Sequence, residues 1–288
     1  MRIRVPATSA NLGPGFDSCG IALNRYLTVK VNQPATKWEI CHSLGSEVPT
    51  DDRNLLIQTA LKIEPTLSPH IILMDSDIPQ ARGLGSSSSV IIAGIELANQ
   101  LGDLKFTRKR IIEIATEMEG HPDNVAPAVL GNFVLASFVD RKVESVVQCF
   151  PEVGMVGFIP DFELFTSVSR GVLPTQMSYK DAVAASSIAN VMIGALLSGN
   201  LELAGKMIEK DLFHEKYREK LVTHIHKIRE YSQKFGAYAT YLSGAGPTTI
   251  TLLPLGQVDS FAYELEKMNV KGQVEKLEID CLGLQTQL

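Results

Sequence analysis

The chain has 288 residues, 45% of them hydrophobic and 20% charged, which is typical of a soluble globular protein with one large or two medium domains. Its net charge of −5 and the absence of a dense run of Lys and Arg exclude an ordinary nucleic-acid-binding protein. The four cysteines lack CxxC and zinc-ligand spacing, which indicates reduced thiols, and we see no apolar segment typical of a signal peptide or a membrane span. We therefore expect a cytoplasmic protein with no membrane partner.

The first glycine-rich segment follows a short strand predicted at residues 3–6. Residues 7–20 form a long loop of small residues, and loops of this kind usually lie close to a ligand. Asn11 and Asp17 are its chemically useful members. Taken alone, an Asx turn for Asn11 and a turn or helix cap for Asp17 explain these residues equally well.

The next elements lead to a second glycine-rich segment. Alternating residues predict a strand at 26–31 with an antiparallel partner beginning near residue 38. Helical periodicity predicts a helix at 54–63 capped by Asp51 or Asp52. A β-rich run at 71–74 follows. It ends just before the loop made of Pro79, Gln80, Ala81, Arg82, Gly83, Leu84, Gly85, Ser86, Ser87, Ser88 and Ser89.

This second loop has the features of a phosphate-binding loop. Its glycines let the backbone curl round a ligand, its serines supply hydroxyls and an N-cap, and the helix that follows attracts anions to its first turn. No lysine follows Gly85 as Walker A requires, the third glycine of a dinucleotide fingerprint is missing, and no G-x-S-x-G elbow presents a nucleophile. The alternative is an ordinary Gly/Ser turn that caps a buried helix.

A helix predicted from Thr107 carries two acidic residues, Glu113 and Glu117, on a face away from its apolar stripe. A solvated acidic face is the simpler interpretation. The loop that follows is dense in ligand-type groups, namely Glu119, His121, Asp123 and Asn124.

We place a domain boundary near Phe150, which gives domains at 1–150 and 151–288. The second part alternates predicted strands and helices and favours an α+β domain. Helices are predicted at 179–197, capped by Ser178, at 201–211, capped by Asn200, and from His214 to Gly236. Strands at 239–242 and 250–253 flank a third glycine-rich turn at 243–248, and a helix at 258–268 precedes a strand at 274–279.

The three glycine-rich segments together resemble the signature motifs of the GHMP small-molecule kinases, the superfamily of galactokinase, homoserine kinase, mevalonate kinase and phosphomevalonate kinase. The segments at 6–17, 79–89 and 243–248 stand in the family's order and span nearly the full length. The first is similar almost letter for letter to the homoserine kinase version. The segment 121–127 supports the same resemblance.

The resemblance implies a fold and an activity. The fold is α+β, with an N-terminal domain like ribosomal protein S5 domain 2 and a ferredoxin-like C-terminal domain, and the active site lies between them. The activity is ATP-dependent phosphorylation of the L-homoserine hydroxyl to O-phospho-L-homoserine, a step of threonine biosynthesis, by a homodimer. Two alternatives remain: a kinase for another small alcohol such as mevalonate or shikimate, and a catalytically silent sensor.

The resemblance also implies roles for residues in ATP and metal binding. Residues 79–89 would wrap the phosphates of ATP, and Asn54 would lie where the family holds the adenine and ribose. Ser87 and Glu117 would bind Mg²⁺, with Glu119 as a competing ligand.

For the amino-acid substrate, Arg170 and Arg218 would clamp the carboxylate, while Asn11, Asp17 and His121 would orient the molecule. From the residues alone, both arginines are more simply explained as solvated surface side chains. Asp17 would lie nearest the reacting oxygen, as a base or as a positioning group. Asp123 is the alternative base, with Asn124 beside it.

Overall fold

The computed structural model describes residues 1–268 and 270–287. These residues form two antiparallel-rich sheets with helices packed on them, which confirms the predicted α+β class. The strands are β1 (Arg2–Ala10), β2 (Cys19–Pro34), β3 (Glu39–Cys41), β4 (His70–Ser76), β5 (Phe133–Val139), β6 (Lys142–Gln148), β7 (Gly154–Pro160), β8 (Ala239–Leu242), β9 (Thr249–Leu253), β10 (Gly272–Leu277) and β11 (Gln285–Gln287).

The α-helices include several short segments. They are α1 (Leu55–Ile63), α2 (Ser86–Leu101), α3 (Arg108–Glu119), α4 (Val125–Leu130), α5 (Thr166–Gly171), α6 (Tyr179–Leu197), α7 (Leu201–Ile208), α8 (Glu215–Arg218), α9 (His224–Ser232) and α10 (Val258–Lys267). Short 3₁₀ turns follow α9 and precede α10.

The first sheet has the order β11-β1-β2-β4-β3, and β2 also pairs with β5, which pairs with β6. Helices α2 and α4 pack on β1 and β2, and α1 packs on α2. Helix α2 is apolar round most of its circumference because it lies between the sheet and other helices, and its residues from Ile91 to Ala98 are all buried. This packing fixes the direction in which the N-terminus of α2 points.

The second sheet has the order β10-β7-β9-β8 and is antiparallel throughout. Every residue of β7 is buried, which accounts for its almost continuous apolar sequence. Helices α9 and α10 pack on this sheet.

The chain returns to the first sheet at its end. Strand β11 pairs with β1, with Ile3 opposite Thr286, and Ile279 forms a bridge to Leu23. The division into two domains between residues 150 and 151 stays a prediction. Strands β1 to β6 before this point belong to the first sheet and β7 to β10 after it to the second, but residues 279–287 return to the first sheet.

Several predicted boundaries and one predicted pairing are wrong. The strand expected near residue 38 is β3, which pairs in parallel with β4 and not with β2. The N-cap of α1 is Asn54, because the Asp51 carboxylate is bound to Arg53. The helix predicted from His214 to Gly236 is two helices, α8 and α9, separated by residues 219–223. Helices α4 and α5 and strand β6 were not predicted. Helix α4 is short, and Pro127 lies in its first turn, where a missing N–H has no cost.

By length and composition alone, α6 could cross a membrane. It begins with the predicted Ser178 cap and packs on α7, and its buried side chains include Met192, Ala195 and Leu196. Helix α7 in turn packs on β8 of the second sheet.

Candidate active site

The three glycine-rich segments lie in contact with one another. The Ser243 hydroxyl in the third donates to the carbonyl of Gly83 in the second at 2.6 Å, and the Gly244 N–H donates to the carbonyl of Ala10 in the first at 3.1 Å. Residues that are 160 and 234 positions apart along the chain therefore meet, and the three segments form one structure.

Two glycines of the second segment are required by this close approach. Gly83 and Gly85 have φ of +77° and +71°, a region that other residues rarely adopt. A Cβ at Gly83 would lie 2.4 Å from the Ser243 carbonyl oxygen, and a Cβ at Gly85 would lie 2.1 Å from the Thr8 hydroxyl oxygen. No side chain fits at either position.

Gly85 is also the N-cap of α2, so the expected serine cap is wrong. Glycine offers no side-chain oxygen to the first-turn N–H groups, which leaves them directed at the cavity lined by Ser86, Ser87 and Ser88. This is the arrangement that binds anions at a helix N-terminus.

Not every residue of the predicted phosphate loop faces the cavity. Leu84 is buried in the core, and the buried Ser89 hydroxyl donates to the Ser86 carbonyl at 2.8 Å. Arg82 donates to the carbonyl oxygens of Pro160 and Asp161, and so fastens the loop to the second sheet.

A cleft runs along the phosphate loop and has two parts. The polar chamber has a volume of about 340 Å³ and is lined by residues of all three glycine-rich segments, by His121, Asp123 and Asn124, and by α5. The apolar chamber, of about 560 Å³, is lined by side chains such as Leu27, Val48, Met74, Ile78 and Val90. Both chambers share Ala81, Ser86, Ser87 and Phe165, so they form one elongated site at the N-terminus of α2.

Asn54 lies in the wall of the apolar chamber, but its amide is occupied. Its Oδ1 accepts from the Leu56 N–H at 3.0 Å as the cap of α1, and its Nδ2 donates to the Pro49 carbonyl at 2.7 Å. The structure therefore gives Asn54 a capping role.

Helix α3 brings Glu119, and not Glu117, to Ser87. The Ser87 hydroxyl donates to Glu119 Oε1 at 3.0 Å, and both residues line the polar chamber. The carboxylate of Glu117 lies on the outer surface, 3.5 Å from the Arg141 guanidinium. The expectation that Glu117 completes a site with Ser87 is wrong, because Glu119 lies half a turn further round α3.

Asp17, His121 and Asp123 come together in the polar chamber, with one ligand-type atom of each within 4.8 Å of the others. The His121 ring Nδ1 lies 2.5 Å from Asp123 Oδ1. Burial lowers the pKa of His121, but the hydrogen bond and the negative charge of Asp123 outweigh burial and raise it above its ordinary value. His121 therefore carries a positive charge more readily than a free imidazole.

The polar atoms of Asp123 and Asn124 are largely engaged within the protein. Asp123 is 2% exposed and also accepts from the Asn124 backbone N–H at 3.0 Å. The Asn124 Oδ1 accepts from the Thr8 hydroxyl at 2.7 Å, which ties this segment to the first glycine-rich segment.

Asp17 is held by Arg170 and Asn11. Arg170 donates to both carboxylate oxygens of Asp17, at 2.5 and 3.1 Å, and the Asp17 N–H donates to the Asn11 side chain at 3.0 Å. Asn11 in turn donates to the Gly244 carbonyl at 3.1 Å. Burial lowers the pKa of Arg170, but the hydrogen bond and charge of Asp17 outweigh it and raise the pKa overall. The two predicted carboxylate-binding arginines thus differ, because Arg170 already has a carboxylate partner.

Arg218 is 1% exposed, and in the described part of the chain it has no carboxylate partner within 4.0 Å. It donates to the carbonyl oxygens of Ser169 and Gly244, at 3.2 and 2.9 Å. Burial and, next, the positive charge of Arg170 lower its pKa to about 10, so it remains charged at neutral pH. A solvated surface role for Arg218 is therefore excluded.

Phe16, Thr8 and Ser169 contribute to the site but were not singled out from the sequence. The Phe16 ring lies 5.5 Å from the guanidinium carbons of both Arg170 and Arg218. Its position next to Asp17 in the first segment was the available signal for Phe16. Nothing local marks Ser169, whose role depends on where α5 packs.

The chain is similar to known proteins of one family. The N-terminal domain model of the GHMP kinases matches residues 54–132, and their C-terminal model matches residues 192–271. The homoserine kinases of Enterococcus faecalis and Streptococcus thermophilus are each 58% identical to this chain, over 99% of both sequences. A solved structure of a Listeria monocytogenes protein assigned as a homoserine kinase is 45% identical, with a TM-score of 0.89 over 99% of this chain and 98% of its own. The similarity extends from one end of the chain to the other.

Proposed function

Because the chain belongs to the homoserine kinase family of the GHMP kinases, it phosphorylates the side-chain hydroxyl of L-homoserine with ATP, and we propose that it does so in the two-chamber cleft. The product, O-phospho-L-homoserine, would serve threonine biosynthesis. The observation that carries this placement is Arg218, a buried cation without a carboxylate partner in the described residues, beside a helix N-terminus suited to phosphate.

ATP would lie along the cleft, with its base in the apolar chamber and its phosphates over residues 83–88. The apolar walls suit a planar base, and the first-turn N–H groups of α2 suit the charge of a triphosphate. Among the predicted ATP-binding residues, Leu84 and Ser89 would act from the core by shaping the loop, and Asn54 by capping α1.

The homoserine carboxylate would bind Arg218. A buried guanidinium without a counter-charge is costly, and a substrate carboxylate would supply that charge. Arg170 would also contact the substrate carboxylate while it keeps its ion pair with Asp17 in the same chamber. The substrate's ammonium would then face the carboxylates of Asp17 and Asp123.

We propose positioning of the reacting hydroxyl by Asp17, with His121 beside it. Because Arg170 donates to both carboxylate oxygens of Asp17, orientation of the nucleophile contributes more than proton removal. Asp123 is the weaker candidate for a base, because it is engaged by His121 and by the Asn124 N–H.

A magnesium ion fits the oxygen donors at the end of α2. Ser87 and Glu119 present a hydroxyl and a carboxylate 3.0 Å apart, and Mg²⁺ prefers such ligands. When bound, the ion would neutralise charge on the β- and γ-phosphates during transfer.

A panel assay of ADP release with homoserine, mevalonate and shikimate tests the substrate, and substitution of Arg218 tests its placement. We expect turnover with homoserine only, and Arg218→Ala to raise the homoserine KM by about a hundredfold, the effect of losing a buried charge pair. Arg53→Ala, at an exposed arginine outside the cleft, is the control and should leave KM unchanged. Turnover of another alcohol in place of homoserine, or no turnover at all, would contradict the assignment.

We also propose that the protein works as a homodimer in the cytoplasm. Helix α6 exposes Tyr179, Val183, Val191 and Leu197 together with small residues, a surface on which a second copy could pack closely. The four cysteines are free, which suits a reducing compartment. Light scattering would test the dimer: Val191→Glu should give a monomer, and an unchanged mass would contradict the use of this face.

A further inference from the structure

The guanidinium of Arg218 is held by three hydrogen bonds within the protein. Nε donates to the Ser169 carbonyl at 3.2 Å, and Nη1 donates to the Gly244 carbonyl at 2.9 Å. Nη1 also lies 3.1 Å from Nδ1 of His214. In the described residues no partner engages Nη2, so its two N–H groups remain for a ligand.

The contacts of His214 require one particular tautomer. Arginine can only donate hydrogen bonds, so His214 Nδ1 must accept from Arg218. His214 Nε2 lies 2.9 Å from the carbonyl oxygen of Gly13, which can only accept, so Nε2 must carry the proton. The neutral ring with its proton on Nε2 satisfies both contacts at once.

We propose that His214 is a positioning residue for the amino-acid substrate, which fixes the guanidinium of Arg218 and couples it to the first glycine-rich segment through Gly13. This inference rests on the proposed binding of the homoserine carboxylate by Arg218. His214 itself touches no reacting atom. It acts through the orientation of Arg218, whose fork must match a planar carboxylate.

The surroundings of His214 hold the ring in place. The Asp211 carboxylate accepts from three successive backbone N–H groups, those of Phe213, His214 and Glu215, at 2.8, 2.9 and 2.6 Å. The ring is fully buried and stacks on Phe16, with ring centroids 5.1 Å apart. Burial lowers the pKa of His214, so the accepting nitrogen stays unprotonated at neutral pH.

Two substitutions separate the two contacts of His214. Asparagine places an acceptor near the position of Nδ1 and can keep the bond to Arg218, whereas glutamine reaches the position of Nε2 and can keep the bond to Gly13. We expect His214→Asn to keep the homoserine KM within about threefold, and His214→Gln to raise it about tenfold, the usual effect of losing a hydrogen bond to a charged group. The ATP KM should stay unchanged in both variants.

A double-mutant cycle distinguishes action through Arg218 from a general effect on folding. In an Arg218→Ala background His214→Gln should cause no further rise in the homoserine KM. Equal homoserine KM values for the Asn and Gln variants, or an equal effect of His214→Gln in both backgrounds, would overturn the inference. If Arg218→Ala alone left the homoserine KM unchanged, both the proposed carboxylate site and the role of His214 would fail. If Arg218→Ala raised the homoserine KM but the His214 variants behaved alike, only the role of His214 would fail.

Discussion

His121 and Asp123 form a directly hydrogen-bonded titratable pair in the polar chamber. Replacing Asp123 by Asn removes the charge that raises the pKa of His121 and leaves the burial that lowers it. We expect Asp123→Asn to move the His121 titration, followed by NMR, from above the usual value of about 6.5 to below it. The half-buried ring of His224, which contacts Phe158 and Phe162, is an internal control whose titration should not move.

The same shift has a consequence for stability. The pKa of His121 is higher in the folded state than in the unfolded state, so the pair stabilises the fold fully below the unfolded pKa and loses this contribution as the pH rises through the folded pKa. The difference in unfolding free energy between the parent and Asp123→Asn should therefore be larger at pH 6 than at pH 8. If this difference did not depend on pH, Asp123 would not be raising the pKa of His121 in the folded state.

The sequence predicts which residue types form the site, but not which side chains contact each other. The residue types of the site were visible, since Asn11, Asp17, His121 and Arg218 stand out in their segments. What was not visible is which of two nearby acidic residues on α3 meets Ser87, because that depends on how α3 rotates against α2. Helical periodicity gives the spacing of Glu117 and Glu119 on their own helix but not the neighbour that each one faces.

The turn before α2 is a tightly packed element of the site. Gly85 and Gly199 have nearly the same φ, +71° and +72°, but a Cβ at Gly85 would meet the Thr8 hydroxyl whereas a Cβ at Gly199 would meet open space. Gly199→Ala therefore has only backbone strain, which costs about 1 kcal/mol of unfolding free energy. Gly85→Ala has the same strain and must also displace the phosphate loop.

We expect Gly85→Ala to lower kcat/KM for ATP by about a hundredfold, since a displacement of about 1 Å can have this effect, and Gly199→Ala to leave it unchanged. Steady-state kinetics and urea unfolding of both variants measure the two effects separately. Equal ATP kinetics in the two variants would show that the loop can absorb the added carbon, and would contradict the tight packing.

Elements with a strong periodic pattern were predicted well, and short or interrupted ones were not. Helix α6 with its Ser178 cap and the Asn200 cap of α7 are at the predicted residues, and α3 begins one residue after the predicted start at Thr107. Residues 219–223, between α8 and α9, contain no Gly or Pro that would predict the break. It follows from tertiary contacts, because the Arg218 side chain at the end of α8 turns inward to Ser169 and Gly244.

For the whole molecule, the sequence predicted two α+β parts but not the return of the last residues to the first sheet. Strand β11 has only three residues, and its sequence, Gln-Thr-Gln, has no apolar pattern. Strand β11 pairs with β1, and the Thr286 hydroxyl donates to Glu96 Oε1 at 2.7 Å in a partly buried contact. No local rule predicts a contact between residues 190 positions apart.

This contact gives a test of how the chain end stabilises the first sheet. Glu96 is 4% exposed and accepts hydrogen bonds from Asn99, Gln100 and Thr286. Thr286→Val keeps the shape of the side chain but removes one donor from a buried carboxylate, so the unfolding free energy should fall by about 2 kcal/mol. Thr286→Ser keeps the hydroxyl and should lose much less. Because Thr286 lies outside the cleft, the homoserine and ATP KM values should be the same in both variants. If the Val variant were as stable as the Ser variant, β11 would be held by its backbone pairing with β1 alone.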